Sequence, residues 1–482
     1  MGRASFLENS FLEQLGFEPT SCQRNFFRDV AEFVTSGDHD IMVASGYAGT
    51  GKTTAVAAVV TALKSLGTKC VLLAPTGRSA KVLSMYAHQP AFTVHKHIYR
   101  QKSVGGDGFG QFTLAPNKAR NTLFVVDEVS LVNIDAESAK GQSSASFGTG
   151  NLLADLVSFV RNGVECRLLM IGDSAQLPPI GLDESPALSR QYMTSCFNGV
   201  MFSGLSTVVR QAKESGILHN ATIIRNLITS LSSGTGDGML RLELDGFDDI
   251  SQVGGGDLIE TLSDAYARYG DDQTIVLTRS NKRAIRYNAG IRGSVQFKED
   301  RLVKGDRLMV VKNCYQFLED VKQMSYIANG DIAELVRISD FEERYGLHFA
   351  TAKLAFPDYD DVEIRAKVIL DTLDSESPSL TWEQSNMLYQ GVNEDYSWEK
   401  NKKKRYDIVR EDPYYNALQL KYSNAITCHK SQGGQWDCVF VDNPFWQDEL
   451  TLDDLKWLYT AVTRAAERVY LVNFKKLDWP VV

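Results

Sequence analysis

Residues 46–53, Gly-Tyr-Ala-Gly-Thr-Gly-Lys-Thr, constrain this fold more than any other stretch of the chain. They fit the spacing G-x-x-x-x-G-K-T. An apolar run, Ile-Met-Val-Ala-Ser at 41–45, precedes them, and an alanine- and valine-rich helical stretch follows. A strand that turns through glycines into a helix aims several backbone N–H groups, and the positive end of the helix dipole, at one point. An anion with several oxygens fits there. Gly46, Ala48, Gly49, Thr50, Gly51, Lys52, Thr53 and Thr54 therefore form the expected cradle for the phosphates of ATP. The Lys52 ammonium is placed for the β- and γ-phosphates and the Thr53 hydroxyl for Mg2+.

Such a loop needs a parallel sheet behind it. Short apolar runs at 41–45, 69–74, 122–126, 167–171 and 205–209 alternate with helical stretches, the pattern of a doubly wound α/β sheet. A second set lies at 274–278, 422–427, 437–442 and 468–473. The 482 residues exceed what one core holds, so two such units are expected. Residues 306–420 interrupt the second set. Strand-like runs there, with a turn signal at Asn329-Gly330, predict an inserted β-rich module. The segment 101–117 predicts a protruding hairpin, and the Gly/Ser-rich 140–151 a loop. The basic run 399–405 reads first as a solvated surface.

Two strand ends carry chemistry. Thr122–Val126 leads into Asp127 and Glu128; Asp127 is placed to hold Mg2+ and Glu128 to orient and deprotonate an attacking water. The run 167–171 leads through Gly172-Asp173 to Gln176, followed by Pro178 and Pro179. Ligands of parallel sheets gather at the carboxyl ends of strands. Gln176 is thus expected at the γ-phosphate or the attacking water, on a backbone that the prolines restrict. An ordinary polar turn residue is the competing reading.

Bulk properties narrow the rest. No apolar run reaches the roughly 18–20 residues of a membrane span, and no signal-peptide pattern opens the chain. None of the seven cysteines forms a Cys-x-x-Cys pair, which argues against zinc, iron–sulfur ligation or a disulfide framework and for a reducing, cytoplasmic setting. The net charge of −9 argues mildly against nucleic-acid binding, although an acidic chain can carry a basic channel.

The segments "GYAGTGKTT", "APTGRSAKVL" (74–83), "TVHKHIY" (93–99), "VVDEVS", "GDSAQLPPIG", "VVRQ" (208–211), "AITCHKSQGGQWDCVFVD" (425–442) and "LYTAVTRA" (458–465) occur in one order. In that order they resemble superfamily 1 helicases of the B type, the RecD/Dda/Pif group. The resemblance implies two RecA-like domains with ATP and Mg2+ between them. The first would span 1–210, with a hairpin or wedge at about 99–118. The second would be 211–305 plus 421–482, with 306–420 as an SH3-like insertion. It implies phosphate-reading arginines at Arg464 and Arg210, for which surface ion pairs are the alternative. It gives Gln23, in "PTSCQRNFF", an adenine contact; the same residues also form a helix capping box.

The implied partners are single-stranded and forked DNA, and possible replication, recombination or repair proteins; a membrane is not implied, and a monomer is. A DNA-acting family would make the cytoplasmic setting nucleoid-associated. DNA contacts would come from Pro75, Thr76, Gly77, Thr93 and His95 in the first domain and Thr427, His429 and Ser431 in the second. Tyr99, Phe109 and Phe112 would stack or wedge. Core packing competes for the histidines, including His97, and for the aromatics. The implied activity is ATP-driven 5′-to-3′ unwinding of DNA. A DNA-binding ATPase subunit of a recombination complex, an RNA helicase and a nuclease are the alternatives, the last without a separate acidic cluster to support it.

Overall fold

The computed structural model describes residues 2–104, 110–134, 146–207, 215–232, 238–319, 321, 324 and 326–481. Two all-parallel sheets and a barrel dominate it. The first sheet has six strands in the order Ala91–Thr93, Lys69–Ala74, Thr122–Val126, Arg167–Gly172, Ile41–Gly46, Val200–Leu205. The phosphate-loop strand is therefore flanked by Arg167–Gly172 and Val200–Leu205, with Ala44 opposite Ile171 and Ser203. The last strand ends at Leu205, so the run 205–209 is not the strand; its residues 208–209 lie outside the described residues.

Helices cover both faces because the strands are apolar on both sides. Lys52–Ser65 buries its alanines and valines on one face, together with the N-terminal helices Arg3–Leu15 and Ser21–Thr35. The first 18 residues, unassigned from sequence, thus pack Phe11 at 6.0 Å from Phe27.

The second sheet has the order Ile250–Val253, Ala465–Val472, Trp436–Asp442, Thr274–Thr278, Ala425–Thr427. Between its parts lies a closed barrel of Arg307–Val310, Ile332–Arg344, Leu347–Phe356, Val362–Ile369 and Leu418–Tyr422. The apolar run 422–427, expected as one strand, is two: Tyr422 ends the barrel, and Ala425–Thr427 enters the sheet after Ser423 and Asn424. The break follows from geometry, since Tyr422 pairs with Leu308 of the barrel whereas Ala425 pairs with Val276 of the sheet. The basic run is partly helical, and Lys402, Lys403 and Lys404 are exposed on Lys402–Glu411.

The hairpin pairs Tyr99–Val104 with Gly110–Leu114 antiparallel. A third strand, Ser146–Phe147, adds to it parallel, from a segment expected only as loop.

Candidate nucleotide site and nucleic-acid track

The strand Ile41–Gly46 delivers the loop, and the helix from Lys52 receives it. Gly49 and Gly51 both take φ of +75°, where a side chain would be strained. A Cβ on Gly46 would stand 2.7 Å from Lys52 Cγ, so glycine there lets the lysine fold back over the loop. Lys52 Nζ donates to Tyr47 O at 2.9 Å and lies 3.8 Å from Asp173 Oδ2, with both side chains buried. Thr50 Oγ1 donates to the same carbonyl at 2.7 Å. Thr53 and Thr54 are half-buried on the first helical turn.

The two carboxylates sit where the strand Thr122–Val126 ends. Glu128 has φ of +54° and its N–H donates to Asp127 Oδ1 at 2.8 Å. Burial, with the neighbouring Glu128 charge, pushes the Asp127 carboxyl up to about 7; the Glu128 N–H and Lys52 oppose the rise. Glu128 Oε2, Ser130 Oγ and Gln176 Oε1 are buried without a hydrogen-bond partner among the described residues. Buried polar atoms seldom stay unpaired, and three of them near one sheet edge are open to water, an ion or a ligand.

The Asp127 carboxylate, buried at its strand end, and the half-buried Thr53 hydroxyl are oxygens of the kind a hard cation takes. Mg2+ takes one or two protein oxygens and leaves its other positions to water and phosphate. No cluster of three or more metal-binding side chains occurs among the described residues, so a metal here would need the nucleotide as co-ligand.

Gln176 lies in a buried turn whose N–H bonds Asp173 O at 3.3 Å. The next residue is tied to the other lobe twice. Leu177 N donates to Thr460 Oγ1 at 2.9 Å, and Gln432 Nε2 donates to Leu177 O at 2.8 Å. Pro178 and Pro179 follow, both buried. A lone glutamine before two prolines thus sits where the lobes interlock. Tyr459, on helix Leu452–Val462, completes the junction: its hydroxyl donates to Asp173 Oδ2 at 2.8 Å and accepts from Ala48 N at 2.9 Å. Arg225 reaches the loop from helix Gly216–Ser232 and lies 4.6 Å over the Tyr47 ring.

Two of the expected nucleotide contacts have protein partners in this arrangement. Arg464 does not reach across the cleft in this arrangement. Its guanidinium donates to Thr460 O at 3.1 Å, Gly434 O at 3.2 Å and Thr463 Oγ1 at 3.4 Å, all in its own lobe. Reaching a phosphate requires release of those carbonyls. The Gln23 amide is likewise engaged: Oε1 accepts from Thr20 N at 3.0 Å in the capping box, and Nε2 donates to Thr50 O at 3.2 Å. It braces the phosphate loop instead of presenting an edge to a base. Arg210 lies outside the described residues.

Along the expected DNA track, Thr76 caps helix Gly77–Ala87, accepting from Ser79 N at 3.2 Å. Gly77 faces the barrel, where a Cβ would stand 3.0 Å from Asp331 Oδ1. Pro75 is half-buried beside them. Lys81 of the same helix pairs with Asp358 of the barrel region at 2.8 Å. Thr93 caps Val94–Ile98 and bonds the Tyr326 hydroxyl. His95 is half-buried 5.8 Å from the Tyr99 ring, and burial lowers its pKa to about 4.

Four of the track residues serve packing. Tyr99 is buried and its hydroxyl donates to Asp155 Oδ2 at 2.7 Å, so it is not a stacking platform. His97 packs against Phe92, Phe124 and Phe159 at 5.7–5.9 Å. Ser431 is buried and donates to Cys428 O at 2.7 Å, leaving no surface for a phosphate. Phe112 packs on the first lobe and stands 6.4 Å from the Tyr315 ring. Phe109 lies outside the described residues. Thr427 and His429 are half-buried at the end of a sheet strand, and burial lowers the His429 pKa.

Sequence reasoning missed Tyr459, Thr460, Gln432 and Arg225. Tyr459 and Thr460 lie within "LYTAVTRA" and Gln432 within "KSQGG", but nothing in either stretch says which residue points across an interface.

Residues 422–472 match a model described as the UvrD-like helicase C-terminal domain, and residues 23–139 match one described as an AAA domain. The ATP-dependent RecD2 DNA helicase of Deinococcus radiodurans is 35% identical over 142 residues, 30% of this chain and 16% of that protein. The ATP-dependent DNA helicase Dda of Enterobacteria phage T4 is 24% identical over 94% of this chain and 99% of its own length. The chain is similar to superfamily 1B helicases. This chain covers the whole length of one such relative and a small part of the other. Among solved structures, a Bacteroides Pif1 helicase with ADP-AlF3 and single-stranded DNA aligns over 95% of this chain and 92% of its own, at 16% identity and a TM-score of 0.46. No helix among the described residues is long and apolar enough to cross a membrane.

Proposed function

We propose that this chain is an ATP-dependent DNA helicase that binds single-stranded DNA at a fork and moves along it 5′ to 3′. The observation that carries the reading is the junction of Lys52, Asp173 and Tyr459. An ion pair of Lys52 with Asp173 and the Tyr459 hydrogen bonds to Asp173 and Ala48 join the phosphate loop to the far lobe, and buried oxygens of Glu128, Ser130 and Gln176 lack partners among the described residues.

Within this reading, ATP enters against the loop amides, and the Lys52 ammonium exchanges Tyr47 O for phosphate oxygens. Asp127 and Thr53 would hold Mg2+, which supplies charge neutralisation at the phosphates. Glu128 Oε2 takes the proton of the attacking water, and the Gln176 amide orients that water. Arg464 leaves Gly434 O and Thr460 O to meet the developing charge; its delocalised, permanently charged fork suits that task. The lobes then differ in separation between nucleotide states, and the Pro75–Gly77 and Thr427–His429 turns grip the strand differently in each. Only such differential affinity lets a nucleotide bias movement.

Two assays test it. ATP hydrolysis is expected to rise several-fold with single-stranded DNA. Forks with a 5′ tail are expected to unwind and those with only a 3′ tail to stay closed. Unwinding solely from the 3′ tail rejects the polarity, and hydrolysis indifferent to DNA rejects the motor.

A further inference from the structure

Helix Gly77–Ala87 begins at the Thr76 cap, and its second residue, Arg78, leaves its own lobe. The Arg78 guanidinium carbon stands 4.0 Å from the centroid of the Trp436 ring, and an Arg78 terminal nitrogen lies 3.5 Å from Gln435 O. Trp436 is buried and opens a strand of the second sheet. Gly433 and Gly434 lie three and two residues before it, and the contact explains both. A Cβ on Gly434 would lie 2.7 Å from the Trp436 ring and 2.9 Å from Arg78 Nε. A Cβ on Gly433, whose φ is +74°, would lie 1.8 Å from Ser79 Oγ. Ordinary side chains here would push the lobes apart.

The same four residues are held from behind by Arg464. Its guanidinium donates to Gly434 O at 3.2 Å, and its carbonyl accepts from Trp436 N at 3.0 Å. Residues 433–436 are thus clasped between two arginines. One is the candidate reader of the terminal phosphate. The other stands one residue beyond the Pro75–Gly77 turn, the candidate grip on DNA.

We infer that Arg78 is a positioning residue, transmitting nucleotide-dependent movement of Arg464 through Gly434 and Trp436 to the Pro75–Gly77 grip on single-stranded DNA. The inference rests on the function proposed above. When Arg464 turns to a phosphate it releases Gly434 O. The Gly434 backbone then shifts, and with Arg78 Nε and the indole against it there is no slack to absorb the shift. Arg78 moves with the indole and carries the first turn of its helix. A lysine at 78 keeps the charge but loses the flat face that stacks on the indole.

The test is the affinity for a fluorescent single-stranded oligodeoxythymidylate, without nucleotide and with a non-hydrolysable ATP analogue. The parental chain is expected to show a ratio of about fivefold or more between the two dissociation constants. Arg78→Ala is expected to bring that ratio within about twofold of unity, with DNA-free ATP turnover near parental. Trp436→Phe, which keeps a ring, is expected to retain most of the ratio, and Trp436→Leu to lose it. The two Trp436 variants also serve as the test should Arg78→Ala fail to fold.

A parental ratio that persists in Arg78→Ala, or equally in Trp436→Leu, overturns the inference even if both variants melt earlier, because packing alone would then be their role. A parental chain that hydrolyses no ATP overturns the proposed function along with it.

Discussion

The Tyr459 hydroxyl lies between Asp173 Oδ2, 2.8 Å away, and the Ala48 amide, 2.9 Å away, although 286 and 411 residues separate the partners in sequence. Tyr459 and Asp173 are both buried, so water is a poor substitute on the Asp173 side of this bridge. Tyr459→Phe therefore leaves a backbone donor and a carboxylate oxygen short of a partner, at about 1–3 kcal/mol. The expected outcome is a lower melting temperature and a fall in ATP turnover that exceeds any change in KM. Calorimetry and steady-state hydrolysis measure the two. Unchanged turnover would detach the bridge from catalysis.

Glu128→Gln keeps the size of the side chain and removes its basicity. ATP binding is expected to survive and turnover to fall at least about 100-fold, within the usual range for a lost general base. Filter binding and single-turnover hydrolysis separate the two effects. Parental turnover in this variant would assign the proton to another group.

The Asp127 carboxyl, raised to about 7 by burial and by Glu128, has a signed consequence. Its folded pKa exceeds its unfolded value, so the folded state binds the proton more tightly. That contribution to stability is present at low pH and is lost as pH rises through about 7. Asp331, also raised to about 7 by burial, acts in the same direction, so the comparison that isolates Asp127 is with Asp127→Asn. Melting curves from pH 5 to 8, without nucleotide or Mg2+, should fall more steeply for the parental chain than for the variant. Parallel curves would show that Asp127 is already ionised at pH 5.

Tyr99→Phe tests the reassignment of an expected stacking residue. Asp155 would keep its bonds from Thr149 N at 3.0 Å and Thr149 Oγ1 at 2.9 Å. A modest loss of stability is expected, about 1–3 kcal/mol, with fork unwinding unchanged once the protein is folded. A selective loss of unwinding would return Tyr99 to the DNA track.

The local geometry around the phosphate loop was legible from the chain. Gly46 to Thr53 has a spacing that only a strand–loop–helix satisfies, and Asp127-Glu128 and Gln176 follow strands whose apolar runs mark the same sheet edge. The inserted barrel was visible because its alternation and its Asn329-Gly330 turn differ from the buried runs around it. Three things were not legible. Tyr422 and Ala425 belong to different sheets, and only pairing partners reveal that. Tyr99 and Gln23 carry the side chains a motif reading wants, but Asp155 and the Thr50 carbonyl, 56 and 27 residues away, engage those groups. Tyr459 and Arg225 act across an interface, which a one-dimensional pattern does not encode.

The short passage from Tyr422 to Ala425 has a mechanical consequence. Asn288 Nδ2 bonds Ala425 O at 2.8 Å, and its Oδ1 accepts from Ala425 N at 2.9 Å. At the barrel's entrance, Arg292 grips Asp306 with two bonds of 2.9 Å. Each junction is thus held by a pair of hydrogen bonds, which limits how far the barrel can swing as an outrigger. A load applied to its rim arrives as torque on Ala425–Thr427, the strand that ends at the candidate phosphate grip.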